Sequence, residues 1–127
     1  MVKIFLVDDD IDLSLLTKKV FVKEGYDVLT FNEASKAIEE AGKQRPDLIL
    51  MDVMLPGMDG AEAIRMLKRD PALNSIPVIF LTGLVSTAEK SEQGEGIHID
   101  GVSYKTVGKP YEVDELIEIV KNAIRRM

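Results

Sequence analysis

Val2-Lys3-Ile4-Phe5-Leu6-Val7-Asp8-Asp9-Asp10 opens the chain with a short apolar run, rich in β-branched residues, that breaks off at three consecutive carboxylates. Such a run reads as a buried strand. From Ile11 to Glu24 the apolar spacing turns helical, with Leu16, Val20 and Phe21 in the set and Gly25 as a natural stop. Tyr26 to Phe31 is a second strand, and Asn32 can cap a helix that runs to about Ala41, ahead of Gly42. Pro46 introduces a third strand, Asp47 to Met51. Asp59-Gly60-Ala61-Glu62 is a capping-box pattern and opens a helix to about Arg69, before Pro71. Pro77 to Leu81 is a fourth strand, and Ser86-Thr87-Ala88-Glu89 is a second capping box that opens a short helix. Val107-Gly108-Lys109-Pro110 ends a fifth strand position. A last helix runs from Val113 to Arg125 on an apolar stripe of Leu116, Ile117, Val120 and Ile124.

Strands that alternate with helices imply parallel strands joined by right-handed crossovers, and nearly continuous apolar strands imply a sheet covered on both faces. The expected fold class is α/β: one five-stranded doubly wound parallel sheet over residues 1–127, without linker, repeat or low-complexity tract. Composition narrows the function. Of the 127 residues 46% are apolar and 30% charged, a soluble globular balance. The net charge of −6 disfavours direct binding to a nucleic-acid backbone. With no cysteine there is no disulfide, thiolate zinc site or cysteine nucleophile. The apolar runs fall far short of the roughly 18 residues of a membrane span. Met1-Val2-Lys3 leads straight into a strand without a signal peptide. The expected location is the cytoplasm.

In a doubly wound sheet, ligands sit beyond the carboxyl ends of the strands, at the topological switch point. The ends here carry Asp8-Asp9-Asp10, then Asp52, then Thr82-Gly83, then Lys109-Pro110. Each alone has an ordinary explanation as a solvated turn, a cap, a β-favouring residue or an exposed charge. Their convergence on one sheet edge does not. Carboxylates of Asp8, Asp9 and Asp52 clustered together repel one another, and a divalent cation removes that repulsion. An all-oxygen set suits Mg²⁺, with Mn²⁺ as a substitute, and the only histidine, His98, makes no zinc cluster. A carboxylate held beside such a metal can attack phosphorus and form an aspartyl phosphate. Catalysis is then mainly positioning and charge neutralisation, for which a Lys109 ammonium and a Thr82 hydroxyl are suited, while Gly83 leaves room for the group to enter.

Four motifs carry a resemblance: Phe5-Leu6-Val7-Asp8-Asp9-Asp10, Leu50-Met51-Asp52-Val53-Met54-Leu55-Pro56-Gly57-Met58-Asp59-Gly60, Leu81-Thr82-Gly83 and Lys109-Pro110-Tyr111. In that order, covering nearly the whole chain, they resemble the receiver domains of two-component response regulators, which have flavodoxin-like topology. The resemblance implies Asp52 as phosphoacceptor, Asp8, Asp9 and the backbone carbonyl of Met54 as Mg²⁺ ligands beside Asp52, and Thr82 and Lys109 as sensors of the phosphoryl group. It implies a phosphohistidine on a sensor histidine kinase or phosphotransfer protein, or a small acyl phosphate, as donor. A downstream protein target and a homodimer on phosphorylation are the implied partners, with no external substrate turned over.

The pattern is broken in places. Three positions before Lys109, where the family often has an aromatic switch residue, stands Thr106; the nearest aromatic is Tyr104. Lys109 follows Thr82 by 27 positions (109 − 82), a handful more than is usual in the family. Ile97-His98-Ile99, Asp100-Gly101 and Val102-Ser103-Tyr104 read as a β-hairpin on a type I′ turn, pairing Ile99 with Val102 and Ile97 with Tyr104. Gly94 and Gly96 cut the helix opened at Ser86 short, and the hairpin takes over part of the partner contact. Two places beyond Asp52 and Thr82 stand Met54 and Leu84, neither able to orient a water, so the phosphoryl group should decay slowly. No output domain follows the last helix, which leaves a stand-alone regulator or an excised domain. Other readings fit less well. A phosphatase of the haloacid dehalogenase type looks for a second Asp where Met54 stands. A flavin domain would need a phosphate loop where Asp8-Asp9-Asp10 repels phosphate. A purely structural pseudo-receiver would not need Asp52, Thr82 and Lys109 intact.

Overall fold

The structure, a computed structural model, describes residues 1–55, 57–83 and 97–125. Its elements in chain order are β1 (Lys3–Val7), α1 (Ile11–Lys23), β2 (Asp27–Phe31), α2 (Ala34–Gln44), β3 (Leu48–Asp52), α3 (Gly60–Arg69), β4 (Val78–Thr82), β5 (Ile97–Ile99), β6 (Val102–Tyr104), β7 (Thr106–Gly108) and α4 (Val113–Arg125). Five strands form a parallel sheet in the order β2-β1-β3-β4-β7, and β5 and β6 form a separate antiparallel hairpin. This is the expected doubly wound topology, with the order reversing between β1 and β3.

Strand side chains alternate between faces, so two cores grow from the same strands. Phe5, Val7, Ile49, Met51 and Phe80 face α2, α3 and the hairpin. Ile4, Leu6, Leu48, Leu50, Ile79 and Leu81 face the other way, onto Phe21 of α1 and Leu116, Ile117 and Val120 of α4. Both faces being apolar is why the strands read as unbroken hydrophobic runs.

Local chemistry sets most of the helix ends. Asp59 caps α3 by accepting from the Glu62 amide at 2.9 Å, and Asp10 caps α1 by accepting from the Leu13 amide at 3.1 Å. Gly25 takes the left-handed conformation after α1, φ +97°. Three expectations need correction. Asn32 does not cap α2; Glu33 holds that position, without a side-chain cap bond. Nor does Gly42 end α2, which continues to Gln44 because the real stop is Pro46: Arg45 leaves the helix in the left-handed region (φ 48°), the α region being disfavoured before proline. Leu16 is 53% exposed, while Ser14 and Thr17 are buried beside Phe21 on the inner face of α1. Thr17 can face inward because its hydroxyl shares a 2.8 Å hydrogen bond with the Tyr111 hydroxyl.

The hairpin follows its expected register, Ile97 opposite Tyr104, His98 opposite Ser103 and Ile99 opposite Val102. Asp100 (φ 52°) and Gly101 (φ 82°) both take the positive φ that a type I′ turn requires. The helix expected from Ser86, with its interruptions at Gly94 and Gly96, lies outside the described residues.

Candidate functional site

The sheet register brings four distant residues to one edge. Asp8 directly follows β1, and its amide donates to the Phe31 carbonyl at 3.0 Å. Asp52 is the last residue of β3, paired with Leu81, and Thr82 ends β4 opposite Gly108 of β7. Lys109 comes next, its amide donating to the Thr82 carbonyl at 2.8 Å. One ladder step therefore places the Lys109 backbone against Thr82, and only the side chain remains to be aimed.

That side chain reaches across to the carboxylates. Lys109 Nζ donates to Asp52 Oδ2 at 2.9 Å and to Asp8 Oδ2 and Oδ1 at 3.0 and 3.2 Å. Asp8 and Asp52 are buried, 2% and 6% exposed, and Asp9 is open to solvent. One oxygen from each of the three lies within 4.8 Å of the others. Local backbone holds two of them: the Asp10 amide donates to Asp8 Oδ1 and the Met54 amide to Asp52 Oδ1, each at 3.0 Å. Burial pushes the Asp8 carboxyl above its ordinary value, with the negative charge of Asp52 adding to the rise; the Asp10 amide and Lys109 oppose it. Burial alone would lower Lys109, but its hydrogen bonds to Asp52 and Asp8 outweigh that and hold the ammonium above its ordinary range. The site thus keeps a cation bridging two carboxylates it would otherwise be costly to bury together.

An oxygen-only cluster of three acids, two of them already aimed, fits a hard divalent cation better than zinc. Asp8, Asp9, Asp52 and Lys109 are found together at this edge, whereas Asp10 turns to cap α1. Thr82 is buried at the same edge, between Asp52 and Lys109 in strand order. Met54 presents its amide to Asp52, and its side chain is 63% exposed. At Gly83, expected to leave room for the group to enter, a Cβ would meet nothing within 4 Å. Leu84 lies outside the described residues. Sequence reasoning missed the Thr17–Tyr111 bond, which ties the segment after Lys109 to α1. It also missed the tight packing at Gly60, where a Cβ would stand 2.8 Å from Phe80 Cε1. A buried threonine on a helix face was the available signal for the first.

Comparison with known proteins gives a consistent result. The family model for the response regulator receiver domain matches residues 4–121. Sporulation initiation phosphotransferase F of Bacillus subtilis is 34% identical over 94% of this chain and 90% of its own length. The DNA-binding response regulator MtrA of Mycolicibacterium smegmatis is 32% identical over 98% of the chain but 51% of its own length. The chain spans about half the length of several of the curated relatives it matches. Among solved structures, the receiver domain of sensor histidine kinase PA1611 from Pseudomonas aeruginosa, with a magnesium ion in its active-site cleft, superposes with a TM-score of 0.79 at 26% identity, covering 97% of each chain.

Proposed function

The chain belongs to the response regulator receiver domain family of two-component signalling, and from that premise we propose that Asp52 is its phosphoacceptor. The observation that carries this is the meeting of Asp52, Asp8, Asp9 and Lys109 at one sheet edge, with Lys109 within 3.2 Å of both buried carboxylates. Asp8, Asp9, Asp52 and the backbone carbonyl of Met54 would hold Mg²⁺; Mn²⁺, with the same charge and liking for oxygen, would substitute. When bound, the ion supplies the positive charge that offsets carboxylate repulsion and the charge on the phosphoryl oxygens.

The chain's own part is positioning. The Met54 amide fixes Asp52 Oδ1, so the carboxylate is oriented before a donor arrives. An Asp52 oxygen bonds to phosphorus as the phosphorus–nitrogen bond of a phosphohistidine breaks, its electron pair staying on the imidazole. With an acyl phosphate the phosphorus–oxygen bond breaks instead and the carboxylate leaves. Lys109 has three ammonium protons and can turn one from Asp52 Oδ2 to a phosphoryl oxygen without losing Asp8. The Thr82 hydroxyl takes a second phosphoryl oxygen. Because the Lys109 amide is bonded to the Thr82 carbonyl, the two sensing residues move as one edge. A full switch from 1:99 to 99:1 takes about 5.5 kcal/mol of differential binding, and these contacts are its source. We place the domain in the cytoplasm, receiving from a histidine kinase or phosphotransfer protein and handing the signal to a protein target or a second copy, with no organic substrate turned over.

The test is intact-mass measurement after incubation with acetyl phosphate, with and without Mg²⁺. The wild-type chain should gain one phosphoryl group only with the ion, and Asp52→Ala none. Mg²⁺-dependent labelling of Asp52→Ala would overturn the assignment. Lys109→Ala should still be labelled but fail to switch partner binding.

A further inference from the structure

The hairpin does not stand free: it leans on α3 and leaves a groove of about 550 Å³ between them, within the size range of ligand-binding clefts. The floor is apolar, made by Ile64 of α3 and by Ile99, Val102 and Tyr104 of the hairpin. Tyr104 is held from beneath by an edge-on contact with Phe80, ring centroids 5.7 Å apart, so the floor is continuous with the protein core. Val102, at the lip, is 50% exposed although it lies on the hairpin's apolar side.

The rim has the opposite charge to the molecule. The chain carries 22 acidic and 16 basic residues, yet Arg65, Lys68 and Arg69 all line this groove, with Asp100 as the one acid among the described residues that line it. Asp100 is engaged by Arg65 at 3.1 Å. Lys68 donates to the Asn74 carbonyl at 2.7 Å and lies 5.9 Å from the centre of the Tyr104 ring. Among the described residues Arg69 has no ion-pair partner. A basic rim over an apolar floor selects its occupant by charge: polycations are repelled, whereas carboxylates flanking an apolar side chain meet both features at once.

We propose that the groove between α3 and the hairpin docks an acidic peptide segment of a partner protein, an aliphatic or aromatic side chain seated on Ile99, Val102 and Tyr104 and carboxylates on either side facing Arg65, Lys68 and Arg69. The site is separate from the Asp52 edge, so it is tested on the unphosphorylated full chain and stands or falls independently of the phosphoacceptor assignment.

The probe is an acetylated peptide with a central leucine–phenylalanine pair flanked on both sides by glutamates, titrated into the ¹⁵N-labelled chain. One control has lysine flanks around the same pair, and another has serines in place of the pair. Only the glutamate-flanked peptide should give saturable shifts, confined to α3 and residues 97–104, and its binding should weaken with salt. Arg69→Glu should weaken it about fivefold, as one reversed rim contact does, and Val102→Asp should abolish it. Both positions are exposed, and an unchanged melting temperature confirms that the fold is intact. Three results would overturn the proposal: no saturable shift, equal binding of the lysine-flanked peptide, or shifts away from the groove. Self-association of the free chain that Val102→Asp removes would assign the groove to a second copy and overturn it too.

Discussion

Two regions of this molecule gather charge, and they do so in opposite ways. At the sheet edge Asp8, Asp52 and Lys109 arrive from three separate strand ends, the two carboxylates buried and the lysine half-buried, so each needs the others to be tolerated. At the α3–hairpin groove Arg65, Lys68 and Arg69 lie within one stretch of helix, solvated, above an apolar floor. Buried charge is strongly coupled and changes its neighbours when it changes, which suits a switch. Solvated charge is weakly coupled and biases which partner approaches, which suits recognition.

Phe80 is where the regions can be broken together. It is fully buried, two residues before Thr82, edge-on to Tyr104 and in tight contact with Gly60. Phe80→Ala should cost about 3–5 kcal/mol of stability. It should also lower both labelling and groove binding, read by urea denaturation and the assays above. A loss confined to one region would show that they do not share this support.

Lys109→Met comes next. It leaves Asp8 and Asp52 without their cation and should destabilise the metal-free protein by about 2 kcal/mol, less than a fully buried pair because the ammonium is partly solvated. The pH dependence sharpens this. Lys109's folded pKa lies above its ordinary 10.5, so its contribution is full below about 10.5 and is lost as pH rises through the folded value. Wild type should lose stability there faster than Lys109→Met. The comparison is made in a Tyr111→Phe background, because Tyr111, raised by burial, is lowered in part by the Lys109 charge and so does not titrate alike in the two proteins. Asp8 acts on the acid side: its folded pKa is raised above 3.8, so metal-free stability falls as pH climbs from 3.8 through the folded value. Asp8→Asn should remove that fall, and an unchanged acid limb would contradict the burial argument.

The exposed side chain of Met54 tests the edge more gently. Met54→Asn places a group able to orient water two residues beyond Asp52, so phosphoryl decay should quicken several-fold with acceptance unchanged. An equal or slower decay, followed by intact mass over time, would count against it. The smallest effect belongs to the groove. Arg65→Ala removes an exposed pair with Asp100 and should shift stability by no more than about 0.5 kcal/mol. A larger loss would mean that the groove is as tightly coupled as the sheet edge.

The sequence by itself determined the layer order of this protein, because strand and helix periods are local patterns. It determined the hairpin and its register for the same reason: Asp100-Gly101 specifies a two-residue turn, and the turn sets every pair that follows. It also identified the acids and the lysine of the edge, since each ends an apolar strand. Where local signals competed, as between Asn32 and Glu33, Gly42 and Pro46, or Leu16 and Thr17, only the packed chain decided which one held. The tertiary structure alone decided distances. Strand order and register bring Lys109 within 3.2 Å of Asp8 across 101 positions, and docking of the hairpin sets Asp100 against Arg65 across 35. Such contacts depend on how whole elements pack against one another, and no local period encodes that.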